Sequence, residues 1–324
     1  MLEQEIFTIR SSEEFENKAL EVFQYQYANT PVYRRFCDLL GTKPPQVQSL
    51  EEIPFLPIQF FKEHDIIAKG QSAEITFTSS GTTGSTPSRH QVADPEIYRQ
   101  SFLQGFRQFY GDPSEYTILA LLPSYLERSG SSLIYMVDAL IKESSNSQSG
   151  FYLYNTDELL EILKLLESRS KKTLLIGVSF ALLDLVEEHS LMLNHTYVME
   201  TGGMKGRRKE LIREELHSVL MEGFGVEAIH SEYGMTELLS QAYSTGKGMF
   251  RSPPWMRVLT RNTENPLEWV HGTTGGINVI DLANIYSCSF IATQDLGKVH
   301  SDGSFEILGR FDTSDIRGCN LMVL

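Results

Sequence analysis

The sequence is poor in cysteine, with three in 324 residues: Cys37, Cys288 and Cys319. An odd number without a Cys-x-x-Cys spacing excludes a disulfide framework and a cysteine zinc site, and fits a reducing cytoplasm. His189 and His195 are six apart, which does not put them on one helical face, and no third ligand stands nearby. Long apolar runs are also missing. The longest candidate, Thr173 to Val186, is interrupted by Gly177, Ser179 and Asp184 and falls short of the ~18 residues of a membrane span. The N-terminus, Met1-Leu2-Glu3-Gln4-Glu5, has no basic region leading into an apolar one, so no secretion signal is expected. Positive charge is in deficit, 28 basic residues against 42 acidic for a net −14 spread along the chain. That balance disfavours nucleic acid as a partner.

What is present is globular. A composition 41% hydrophobic, 10% aromatic and 22% charged, without repeats or biased tracts, excludes disordered and collagenous classes. At about 150 residues per domain the length allows two domains or one large one. Ser11 stands three residues before Glu14, a capping-box spacing, and Phe15, Ala19, Val22, Phe23 and Tyr27 then share one helical face. Pro31, Pro44, Pro45, Pro54 and Pro57 predict an irregular segment wrapping the surface.

From about residue 75 to 232 short apolar runs alternate with helical patterns. Strands are expected at Ile118–Leu122, Thr173–Val178, Thr196–Met199 and Val226–Ile229. Helices are expected at Ser131–Lys142, Asp157–Arg169, Phe180–His189 and Arg207–Met221. Alternation of this kind predicts an α/β fold with a mainly parallel sheet, whose ligands sit beyond the carboxyl ends of the strands. After about residue 265 the texture turns to β-branched and aromatic runs, at Gly275–Ile280 and Tyr286–Thr293, with a hairpin turn at Ser301–Ser304. The expected division is an α/β body over 1–265 and a small antiparallel β subdomain over 266–324.

Four short motifs could carry chemistry. Thr78-Ser79-Ser80-Gly81-Thr82-Thr83-Gly84-Ser85-Thr86-Pro87 packs hydroxyls and glycines behind a strand-like run, as an oxyanion nest requires, and it is not a Walker loop. Ser231-Glu232-Tyr233-Gly234-Met235-Thr236-Glu237 offers a flat ring, a hydroxyl and a hard oxygen ligand. Thr293-Gln294-Asp295-Leu296-Gly297 supplies a carboxylate that can accept from two ribose hydroxyls. Gly309-Arg310-Phe311-Asp312 supplies a guanidinium. Singly, each is as well explained by loop, cap or turn chemistry.

Taken in order, with Gly202-Gly203 between the first two, these motifs resemble the adenylate-forming superfamily of acyl-CoA synthetases and luciferases. Leu122-Pro123-Ser124-Tyr125-Leu126-Glu127-Arg128, with Ser131-Ser132 after it, and the terminal Asp315-Ile316-Arg317-Gly318-Cys319 resemble its acyl-protein synthetase (LuxE-like) branch. The resemblance implies that ATP and Mg²⁺ are used to turn a carboxylic acid into an acyl-adenylate. In it Thr78, Ser79, Ser80, Gly81, Thr82, Thr83 and Gly84 would cradle the β and γ phosphates, and Gly202, Gly203 and Met204 would line the adenine. Tyr233 would stack on the base and Thr236 would touch the α-phosphate. Glu237 would hold Mg²⁺, Asp295 the ribose, and Arg310 the ribose or α-phosphate. Cys319 would accept the acyl group for an acyl-accepting partner protein, a reductase or a carrier. The superfamily's lysine after the loop proline is replaced by Ser88 and Arg89. Its small C-terminal lid domain is not expected here, since the sequence stops at Leu324.

Three other readings compete: transfer to coenzyme A or a carrier phosphopantetheine, a non-catalytic nucleotide- or carrier-binding protein, and a serine esterase. The last rests on Gly177-Val178-Ser179-Phe180-Ala181, which resembles a nucleophile elbow with Ser179 as nucleophile.

Overall fold

A computed structural model describes residues 2–79, 86–123, 130–153, 155–202 and 211–310. Within these, five strands run parallel in the order Gly150–Phe151, Thr117–Leu121, Thr173–Val178, Thr196–Thr201 and His230–Tyr233. The central three are mostly aliphatic and threonine, with Tyr197, Met199 and Glu200 in the third, and are buried along almost their whole length, as strands covered on both faces must be. Helices Ser132–Ser144, Thr156–Ser168, Ser179–Glu188 and Arg213–Phe224 connect them. The expected α/β alternation is therefore present.

The same sheet continues antiparallel through Ala242–Ser244, Phe250–Arg251, Phe305–Arg310, Phe290–Val299, Gly275–Asp281 and Met256–Arg261. Leu56–Pro57 adds to Phe290–Val299 in parallel. A separate two-stranded sheet, Ile75–Thr78 with Arg89–Val92, brackets the hydroxyl-rich tract. The expected turn at Ser301–Ser304 does join two paired strands, whereas Tyr286–Thr293 is a turn first and a strand only from Phe290.

The first helix is Ser12–Asn29, capped by Ser11, whose hydroxyl accepts from the Glu14 amide. Gln26 rather than Tyr27 completes its buried face: the Gln26 amide donates to the Asn284 and Ile285 carbonyls and accepts from the Ser289 amide. This clamps the N-terminal helix to the antiparallel half. One expectation fails next to it. Pro31–Leu39 is a helix, because Pro31 occupies its first position, where a missing N–H costs nothing and the fixed φ suits the turn. Among the described residues no helix is long and apolar enough to cross a membrane.

Candidate active site

The hydroxyl-rich tract leaves one strand at Thr78 and re-enters the next at Arg89. Ser80, Gly81, Thr82, Thr83 and Gly84 lie outside the described residues. The base of the tract is clasped: the Ser79 amide donates to the Ser88 carbonyl at 3.1 Å, and the Ser88 amide donates to Ser79 Oγ at 2.9 Å. The Thr78 amide donates to the Gly130 carbonyl at 2.8 Å, which ties Gly130 to the same strand. Arg89, the candidate loop cation, pairs instead with Asp65 at 3.2 Å on the surface.

The second motif sits differently from expectation. Gly225, with φ +64°, ends the helix Arg213–Phe224, and the strand begins only at His230. Val226–Ile229 is consumed in reaching the sheet, which puts Tyr233 inside a strand and Gly234–Glu237 beyond its carboxyl end. The Tyr233 ring is closed in by Phe250 and Phe305, with centroids at 5.9 and 5.7 Å. Its hydroxyl donates to Asp295 Oδ2 at 2.8 Å, and Arg310 Nε donates to Asp295 Oδ1 at 3.0 Å. Burial and the adjacent Asp295 hold the phenol far above its ordinary range. Three residues from three motifs thus meet on one carboxylate.

The antiparallel ladder makes that meeting possible. Asp295 and Arg310 are directly opposite in register, and the register shifts between Leu296 and Gly297. A Cβ at Gly297 would lie 2.2 Å from the Glu306 carbonyl oxygen, so only glycine allows this approach. Beneath Asp295 lies Arg261, which the sequence analysis missed. It is 6% exposed and donates to the Ile277 carbonyl and Asn278 Oδ1 at 2.6 Å and to the Thr293 carbonyl at 2.5 Å. These acceptors flank the bulge between Gly276 and Asn278, and a Cβ at Gly276 would lie 2.7 Å from the guanidinium carbon. Burial lowers the Arg261 pKa to about 10, opposed by the Asp295 charge. An arginine closing a strand carries no pattern that separates it from a solvated one. The glycine pair facing it was the available signal.

Thr236 and Glu237 follow Tyr233 toward the interior. Glu237 is 6% exposed, and burial raises its carboxyl pKa while the Ser88 hydroxyl opposes that rise. Asp281, also missed, accepts from the Leu239 amide at 2.7 Å, the Ser240 hydroxyl at 2.6 Å and the Ala283 amide at 3.1 Å, fixing the chain just past Glu237. Among the described residues no group of three or more histidines, cysteines or acids could hold a metal. One buried carboxylate fits a magnesium ion that takes its other ligands from phosphates and water.

Gly202 ends the strand Thr196–Thr201, and Gly203 and Met204 lie outside the described residues. Ser179 is a buried helix-start residue whose hydroxyl is used by the Gly202 carbonyl at 3.0 Å and Glu200 at 3.3 Å. It has no histidine partner among the described residues, so the esterase reading has no triad. Glu200 also receives Arg213 and His217. Beside it Glu232 accepts from the Thr201 hydroxyl, and burial, with Glu200 nearby, lifts its pKa to about 7. Cys37 and Cys288 are buried packing residues, and burial pushes the Cys37 thiol up to about 12 and the Cys288 thiol higher. Cys319 and the end of the fourth motif lie outside the described residues.

The fold is that of the adenylate-forming ligases. A 2-hydroxyisobutyryl-CoA ligase solved with 2-HIB-AMP and CoA superposes over 94% of this chain and 72% of its own, with TM-score 0.65 and 13% identity. ATP-bound MatB from Rhodopseudomonas palustris covers 72% of this chain with TM-score 0.52 and 19% identity. The chain spans about half the length of the MatB structures it matches, 49% of an ATP-bound MatB chimera and 47% of MatB itself. No family profile matches it. Among curated proteins it is 26% identical to the long-chain-fatty-acid–luciferin-component ligase of Vibrio harveyi, over 92% of this chain and 84% of that one. This likeness falls in the acyl-protein synthetase branch that the motifs indicated.

Proposed function

We propose that the chain activates a carboxylic acid, a long-chain fatty acid in the first instance, as an acyl-adenylate. A carboxylate oxygen attacks the α-phosphorus of ATP, the bond from that phosphorus to the β-phosphate bridge breaks, and pyrophosphate leaves. Asp295 accepts from the ribose hydroxyls and Arg310 neutralises charge on the ribose or α-phosphate side. Tyr233, whose ring is packed against Phe250 and Phe305 rather than open for stacking on the base, orients Asp295 through its hydroxyl, with Gly202, Gly203 and Met204 along the adenine. Thr78 to Gly84 hold the β and γ phosphates and Thr236 the α-phosphate. Glu237 would hold Mg²⁺, which supplies charge neutralisation to the phosphates. The observation that carries this reading is the meeting of Tyr233 and Arg310 on the Asp295 carboxylate, with Thr236–Glu237 just past the end of the Tyr233 strand.

In the second step the Cys319 thiolate attacks the acyl carbon and AMP leaves, giving a thioester from which a partner protein, a reductase or a carrier, takes the acyl group. Cys37 and Cys288 are unsuited to that role because burial keeps their thiols protonated. The low cysteine content suits work in the cytoplasm.

The test is ATP–pyrophosphate exchange across a panel of carboxylic acids, followed by mass spectrometry of the acylated peptide. Exchange with long-chain acids and a hydroxylamine-labile label on Cys319 are expected. Cys319→Ser should keep the exchange and lose the label. A label that persists on that variant, or one that requires coenzyme A or a carrier, replaces Cys319 as acceptor. Binding of ATP without exchange for any acid would leave a non-catalytic protein.

A further inference from the structure

The strand that leaves the phosphate tract points two side chains, Ser88 and His90, at the Thr236–Glu237 loop. They are two residues apart and so lie on one face of the strand Arg89–Val92 and its entry. Ser88 Oγ lies 2.9 Å from Ser79 Oγ across the base of the tract, and the Ser88 hydroxyl is near enough to the Glu237 carboxyl to oppose the rise in its pKa. His90 is fully buried, edge-on to Phe61 at 5.6 Å. Its Nδ1 lies 2.8 Å from the Thr236 carbonyl. A carbonyl only accepts, so Nδ1 carries the proton. Asn284, also fully buried and lining the same small cavity as His90, donates Nδ2–H to the Glu237 carbonyl at 2.7 Å. Consecutive backbone carbonyls of the loop are therefore held by two buried side chains far apart in the sequence, while a third, Ser88, stands beside the carboxyl.

We infer that Ser88, His90 and Asn284 are positioning residues that lock the Thr236–Glu237 loop in register with the phosphate tract. Ser88 stands where the superfamily pattern has a lysine, so in this chain that position serves Glu237 through a hydroxyl rather than the phosphates through a charge. The strand exit and the Glu237 loop are thereby held to one another, so a nucleotide bound at the tract also bears on the Glu237 carboxylate. The rigidity is local: two hydrogen bonds to consecutive carbonyls hold the stretch that carries one carboxylate and one hydroxyl toward the tolerance that phosphoryl chemistry demands.

This inference rests on the adenylation reading, and its test separates the two. His90→Phe keeps the ring volume and the contact with Phe61 but removes the donor. In pyrophosphate exchange it should lower kcat about tenfold and raise the Mg²⁺ concentration for half-maximal rate severalfold, with the KM for the acid unchanged. Calorimetric binding of ATP in the presence of EDTA should be unchanged, because the lock acts on Glu237 and not on the base or ribose. His90→Asn places an amide N–H where Nδ1–H stands and should restore most of the rate, whereas His90→Gln should not. Asn284→Leu and Ser88→Ala should show the same altered Mg²⁺ dependence, which keeps the test decisive if one variant fails to fold. A wild-type rate and Mg²⁺ profile in His90→Phe, or His90→Asn no better than His90→Phe, overturns the lock alone. Wild-type protein that exchanges with no acid removes the adenylation reading and the lock with it.

Discussion

The parallel and antiparallel halves of the one sheet bury different chemistry. Thr117–Leu121 and Thr173–Val178 are buried at every position and carry no charge, and the acids of the parallel half, Glu200 and Glu232, stand at its strands' carboxyl ends. In the antiparallel half, Gly275–Asp281 is equally buried yet contains Asn278 and Asp281, and its neighbours bury Arg261 and Asp295. The parallel strands deliver loops to one edge and do no more. The antiparallel strands, shifted by bulges at Gly276/Asn278 and Leu296/Gly297, aim individual side chains from inside the ladder. Polar groups can be buried there because the bulge at Gly276/Asn278 leaves carbonyls for the Arg261 guanidinium to satisfy, which an unbroken parallel ladder does not.

That contrast predicts a ranking of effects. Arg261→Leu should cost about 3–5 kcal/mol of stability in urea denaturation, since it strips the donor from the Thr293 carbonyl and Asn278 and leaves Asp295 short of positive charge. Arg261→Lys should recover only part of this, one ammonium being unable to span the same three acceptors. A loss below about 1 kcal/mol for the leucine variant would mean that the bulge is held by the ladder itself.

In the parallel half the largest effect should be one of pH. Glu232 titrates near 7 in the folded chain, raised from 4.5 by burial and by Glu200. Its contribution is therefore complete below about pH 4.5 and is lost as pH climbs to about 7, a span of up to about 3 kcal/mol. Glu232→Gln keeps the Thr201 hydrogen bond and has no proton to lose. It should equal wild type at pH 4.5 and exceed it at pH 8, both curves sharing the slope left by Asp281 and Glu237, raised by burial, and by His90 and His230, which burial lowers to about 4 and which act in the opposite sense. Identical pH–stability curves for Glu232→Gln and wild type would show that Glu232 reaches solvent when ionised. Tyr233→Phe ranks next at about 2 kcal/mol, because it takes the hydrogen bond from Asp295 Oδ2 and leaves Arg310 in place on Oδ1. Its read-out is the same denaturation series together with ATP affinity.

The two halves also differed in how far the sequence could be read. Thr173–Val178 was expected at the residues where it occurs, because a β-branched and leucine-rich run buried on both faces leaves an unbroken apolar signal. Val226–Ile229, apolar apart from Glu227, was also expected as a strand and does not form one. After the left-handed Gly225 the chain spends those residues reaching the sheet, and the strand is built instead from His230-Ser231-Glu232-Tyr233, which no hydropathy pattern marks. The candidate site was legible as an order of short motifs, since each retains its glycines and hydroxyls. Its assembly was not. Asp295 is 62 residues from Tyr233, and only the register opposite Arg310 brings the two side chains of the hairpin together. Arg261, Asp281, His90 and Asn284 were invisible for a common reason: each acts through backbone carbonyls or amides, and such partners leave no trace in residue type.

The smallest effect should come from the middle of the parallel half. Ile176 is 2% exposed and lies in register between Ala120 and Met199. Ile176→Val removes one methylene from a packed layer and should cost about 1 kcal/mol, the transfer loss plus a cavity too small to hold water. Because this strand contributes nothing to the site except the position of its end, kcat and KM in pyrophosphate exchange should match wild type at temperatures where both are folded. If the variant instead lost activity in proportion to its lost stability, the parallel strands would be transmitting packing strain to the Gly202 turn through Ser179. The division between a passive scaffold and a chemically specific half would then have to be drawn at the helix Ser179–Glu188 rather than between the two kinds of ladder.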